Sequence, residues 1–160
     1  MKKIAAFGAI AAAATMATPA SADVLNLSGE IDYQCDLTLG GQNSTSLNLN
    51  NTNQNVGNFT ITCNDPDGFT VVVDSNNDGS LDNGAFSVEY KWKIEAASGE
   101  PTQVQQGFQS PDNTFVVTGF EPGYANGALH SITAKPETNT VLPGGLKLSD
   151  TVTFTIDGNA

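Results

Sequence analysis

Oxygen-bearing side chains recur at short intervals in residues 74–82, where Asp74, Asn76, Asp78 and Asp82 surround Gly79. Hard oxygen donors at relative positions 1, 3, 5 and 9, with glycine at 6, copy the first part of a loop that wraps Ca²⁺. At position 12 of such a loop, where a bidentate glutamate belongs, this chain has Ala85. The flanks read as strands rather than the helices of an EF-hand. Asn77-Asp78-Gly79 also supplies the left-handed backbone that a hairpin turn needs. The turn is the preferred reading, and a weak calcium site is the alternative.

Other chemistry has little to work with. A Ser–His–Asp or Cys–His nucleophile would have to use His130, the only histidine. That residue shares strand parity with Ala128, Ile132 and Ala134, which places it in or at the rim of the core with a hydrogen-bond partner. No G-x-S-x-G elbow occurs. Among 17 acidic residues no pair stands out for glycoside hydrolysis. Two cysteines and one histidine are too few ligands for a structural zinc. The sequence argues against an enzyme.

The elements that carry these residues begin after a leader. Lys2 and Lys3, an apolar run over 4–14 and Ala20-Ser21-Ala22 compose a signal peptide over residues 1–22, cleaved on export. One domain is expected over 23–160. In an oxidising compartment the even cysteine count favours a Cys35–Cys63 disulfide. The mature chain keeps Lys91, Lys93, Lys135 and Lys147 against 17 acidic residues, a net charge of −13. Such a field repels phosphate backbones and anionic bilayers, so neither nucleic acid nor membrane is an expected partner.

Helical periodicity is almost absent, and Thr, Asn, Gly and Val abound. Residues 23–35 read as a first strand with Leu25, Leu27, Gly29, Ile31 and Tyr33 inward. Residues 58–64 and 69–74 alternate as central strands. Residues 86–96 give the clearest pattern, with Phe86, Val88, Tyr90, Trp92, Ile94 and Ala96 on one face and charged or polar residues on the other. Shorter runs at 113–119 and 129–134 and a last one over 146–157 follow, and 46–49 offers one more short strand. About seven strands with turn residues between them predict an all-β fold, an antiparallel β-sandwich of immunoglobulin-like type. The disulfide would then staple the first strand to a central one.

Several of these features occur together in one known family. Gly29-Glu-Ile31 ahead of Cys35, Thr62-Cys63-Asn64 closing a strand, the Phe69–Val73 strand, and the closing run from Pro143-Gly-Gly through Asp150-Thr-Val-Thr-Phe-Thr-Ile156 resemble the spore coat protein U-like subunits of archaic chaperone–usher pili. The resemblance spans most of the mature chain, with Leu148 where the family usually has tyrosine. It implies an incomplete sandwich that lacks one strand. A periplasmic chaperone, and then the N-terminal extension of a neighbouring pilin subunit, would complete it by strand addition. The inserting residues would be Val24, Leu25 and Leu27, continuing to Ile31. The subunit would pass through the periplasm to a fimbria at the cell surface. Residues 23–34 number twelve, so either the segment does one strand's job or the subunit accepts a strand without donating a long one, as a terminal or minor subunit would. The competing expectation is a self-complete secreted binding module that recognises a surface glycan or protein through loops 40–54 and 97–112.

Overall fold

The computed structural model describes residues 27–41, 45–137 and 142–159, so the expected signal peptide and the inserting residues Val24 and Leu25 lie outside the described residues. The chain divides into a unit ending at Ile31 and a unit from Asp32 to Ala160. In the first, residues 27–31 form no strand, and Leu27 and Ile31 are 86 % and 80 % exposed.

The second unit is all-β and antiparallel. Its strands are β1 (Cys35–Gly40), β2 (Gln54–Cys63), β3 (Gly68–Ser75), β4 (Ser80–Asp82), β5 (Ser87–Ala96), β6 (Gln106–Gln109), β7 (Asn113–Thr118), β8 (Ala128–Pro136) and β9 (Val152–Gly158), with one helical turn, α1 (Pro122–Ala125). One sheet runs β1-β2-β8-β5-β4 with β6 also on β5, and the other runs β7-β3-β9. The two face each other as a sandwich. The count exceeds the expected seven because β4 and β6 are pairing segments of three and four residues within stretches that read as loops.

Period-two alternation builds the core. Phe59 and Ile61 of β2, Phe69, Val71 and Val73 of β3, Trp92 and Ile94 of β5, and Phe115 and Val117 of β7 are buried between the sheets. Burial of each such side chain contributes about 1.5–3 kcal/mol. Glycine is required at two crossings between the sheets. A Cβ at Gly68 (φ +92°) would collide with the Val117 carbonyl, and one at Gly79 (φ +78°) would lie 2.8 Å from Pro111 Cδ.

The first strand departs from expectation. It starts at Cys35, where the alternating run 23–35 was to end. Cys35 pairs with Cys63, the last residue of β2, so residues before Cys35 would have to pair beyond Cys63. There the chain turns through residues 64–67 into β3 of the other sheet. The pairing ends in a knot: Asn64 N–H donates to the Gln34 carbonyl (3.1 Å), and Gln34 N–H donates to Asn64 Oδ1 (2.7 Å). Tyr33, expected inward, is exposed. No strand forms over 46–49 either. Gln54 holds Asn48 instead, its amide accepting from Asn48 N–H and donating to the Asn48 carbonyl, both at 2.6 Å. The last strand begins at Val152 rather than 146, and only Ser149 of the preceding stretch makes an isolated bridge, to Asp82.

The disulfide joins Cys35 and Cys63 directly across β1 and β2. It does tie the first strand to an interior one, as neighbours in one sheet.

Candidate functional site

A concavity lies between two edge strands, one from each sheet. β9 pairs only with β3 and β1 only with β2 among the described residues, so each presents one unpartnered edge. At one end the two strands come together, where a Cβ on Gly158 would lie 3.7 Å from Cys35 Sγ. At the other end a groove of about 790 Å³ opens between them, lined by Leu39, Leu47, Val56, Trp92, Val152 and Phe154 among others. Its floor is aromatic. The Phe154 ring lies 5.4 Å from Phe59 and 5.5 Å from Trp92, centroid to centroid.

Burial records the gap. Val71 and Val73 of β3 are buried, whereas their register partners on β9, Ile156 and Phe154, remain half-exposed, as does Val152. Leu39 at the end of β1 is 47 % exposed. Among the described residues these inward-facing side chains are only partly covered. Trp92 adds a polar counterpart: its buried indole N–H has no acceptor among the described residues, which is costly in an apolar wall.

A polar cluster closes the rim. The Asp150 carboxylate accepts from Tyr90 Oη (2.6 Å), Ser75 Oγ (2.7 Å), Asn77 N–H (3.2 Å) and Thr151 N–H (2.7 Å). Ser75 Oγ in turn accepts from Gly79 N–H (2.7 Å), and Ser75 N–H donates to Asp112 (2.7 Å). One carboxylate thus fixes the start of β9 to the β3–β4 corner and to β5. Burial first, and then the Asp150 carboxylate, push the Tyr90 phenol far above the usual tyrosine range. Sequence reasoning treated Tyr90 only as an inward apolar residue. The available signal was the hydroxyl itself, since a buried tyrosine needs a partner for it.

The oxygen-rich segment 74–82 lies at that corner. Asp78 (φ +51°) and Gly79 take the left-handed conformations expected of a turn. The turn is not a hairpin, however, because β3 and β4 belong to different sheets. Asp74 lies exposed on β3 opposite Thr153, Asn76 N–H donates to the Thr151 carbonyl (3.0 Å), and Asp82 Oδ1 accepts from Gly84 N–H (2.6 Å). Among the described residues no three His, Cys, Asp or Glu side chains gather as a metal site would need, so the structure does not bring Asp74, Asp78 and Asp82 together.

His130 is fully buried on β8, as its parity implied, its ring stacked on Phe59 at 5.1 Å. Nδ1 lies 3.3 Å from the Ala128 carbonyl and Nε2 3.2 Å from that of Pro101. Burial pushes its pKa below the ordinary histidine value, outweighing those two carbonyls and the charge of Glu100. The unfolded chain therefore binds a proton near pH 6.5 that the folded chain resists. This contribution to stability is fully present above about pH 6.5 and is lost as pH falls from there towards the native value. Unfolding midpoints measured from about pH 7.5 to about pH 5.5 will fall for the parent and change less for His130→Gln. Parallel curves would refute the assignment.

Among the described residues no helix is long and apolar enough to cross a membrane. The disulfide fits an oxidising environment. No protein-family model, curated protein or solved structure matches this chain.

Proposed function

We propose that this chain is an exported structural subunit of a surface fimbria that assembles by strand complementation and has no catalytic role. The observation that carries the reading is the half-exposed inward face of β9, whose Val152 and Phe154 border a groove between two free strand edges. An added strand there would pair its backbone with a free edge and cover those side chains with alternate residues of its own. The chain also holds a matching segment in reserve. Since β1 starts at Cys35 and residues 27–34 form no strand, the apolar alternation of 23–34 would be available to a neighbour. The resemblance to spore coat protein U-like pilins supplies the same roles, with a periplasmic chaperone and an usher as the partners in transit.

Trp92, the only tryptophan, reports on the groove. A synthetic peptide of residues 23–34 added to the mature chain will shift its fluorescence, and Phe154→Asp will abolish the shift while far-ultraviolet circular dichroism keeps its β signature. The reading fails if the mature chain stays a protease-resistant monomer that never takes up the peptide. The fold would then serve a self-complete binding module working through loops 40–54 and 97–112.

A further inference from the structure

We infer that Lys147 sets the direction in which a strand enters the groove, by pairing with Glu30 and Asp32 of a second copy of this chain. The inference rests on the strand-complementation reading and adds to it the identity and polarity of the occupant.

Cations are scarce on this molecule, and most of the mature chain's four are placed elsewhere. Lys91 pairs with Glu137 (2.9 Å) and Lys93 with Glu95 (2.7 Å), and Lys135 faces Lys91 across β5 and β8. Lys147 lies on the wall of the groove, exposed, with no carboxylate at ion-pair distance among the described residues. It is the single cation among the described residues that line the groove. The one anion there, Asp150, is already saturated by four donors. The groove therefore offers one uncompensated positive charge beside an apolar trough.

Residues 23–34 are the complement. They carry Asp23, Glu30 and Asp32 and no basic residue. A strand that presents Leu25, Leu27 and Ile31 to the trough turns Glu30 and Asp32 to its other face, the face reached by an exposed lysine on the rim. Polarity then decides. Insertion antiparallel to β9 sets Glu30 and Asp32 beside residues 146–151, where Lys147 lies. Parallel insertion sets them beside the exposed Asp157 at the far end of β9, where like charges repel. In a chain of net charge −11, most approaches between copies are repulsive, so one attractive contact at the docking point selects among them.

The test is a charge reversal read by Trp92 fluorescence. With the 23–34 peptide, Lys147→Glu is expected to weaken binding about tenfold at low salt, since attraction to two carboxylates becomes repulsion. A peptide carrying Glu30→Lys and Asp32→Lys will bind the Lys147→Glu protein more tightly than it binds the parent. Lys147→Gln, with an intermediate loss and an unchanged melting temperature, separates charge from folding. If the parental peptide binds Lys147→Glu as tightly as the parent, or an acid-free apolar peptide binds the parent equally well, the inference falls while the groove reading stands. If no peptide binds either protein, the groove reading falls and takes the inference with it.

Discussion

Replacing Asp150 with alanine will cost about 3–4 kcal/mol of folding stability, because it removes a charged acceptor from four donors at once. The backbone N–H groups of Asn77 and Thr151 can turn to water near the rim. The Tyr90 hydroxyl cannot do so easily, since the residue is buried on the inner face of β5. An orphaned buried hydroxyl accounts for about 1–3 kcal/mol of the loss. The double-mutant cycle follows from that argument. Tyr90→Phe should cost much less in the Asp150→Ala background than in the parent, giving a coupling of about 1–2 kcal/mol by urea denaturation. Strictly additive losses would mean that the two groups do not share the interaction.

Removal of the disulfide has a comparable effect by another route. Cys35 and Cys63 close a loop with a sequence separation of 28, for which the chain-entropy treatment gives roughly 3.5 kcal/mol of relief in the unfolded state. For a body of this size that corresponds to a drop of roughly 10 °C in melting temperature. The Cys35→Ala/Cys63→Ala chain will show it in a thermal melt, and the parent under reducing conditions will behave alike. β1 depends on the bond more than the other strands do, since it pairs on one side only and the bond ties it to that one neighbour, β2. Hydrogen exchange should therefore report the loss first in residues 35–40. Unchanged protection there would show that the β1–β2 hydrogen bonds suffice alone.

Much of the sandwich could be read from the alternation of its residues. In β5, Val88, Tyr90, Trp92 and Ile94 are all buried, as their parity required, and the same holds for Phe69, Val71 and Val73 of β3. Alternation failed at the first strand for a physical reason. It reports that a segment has one face to bury, and says nothing of where the covering partner is. Residues 25–33 carry the stronger pattern, yet the turn after Cys63 leaves the described part of it, 27–33, without a partner in the sheet. Residues 35–40, with only Leu37 and Leu39 to mark a face, take the place. The oxygen-bearing residues at 74–82 carry a related ambiguity. Aspartate and glycine at those spacings serve turn conformations as well as cations, and here the left-handed Asp78 and Gly79 make a corner between sheets. The groove itself had no signature in the residues, because it arises where two edge strands of different sheets diverge. Only the resemblance suggested it.

The place of the sulfur bond also sets a mechanical property. Tension applied to the chain ahead of Cys35 reaches that residue and crosses a covalent link to Cys63. From there it runs through the short turn 64–67 into β3, the strand that holds β9 beside the groove. In the proposed fibre, a pull delivered by one neighbour would thus be handed to the groove along a few residues of backbone. That line touches the larger sheet only at Cys35 and Cys63, at the ends of β1 and β2, and its other strands lie off it.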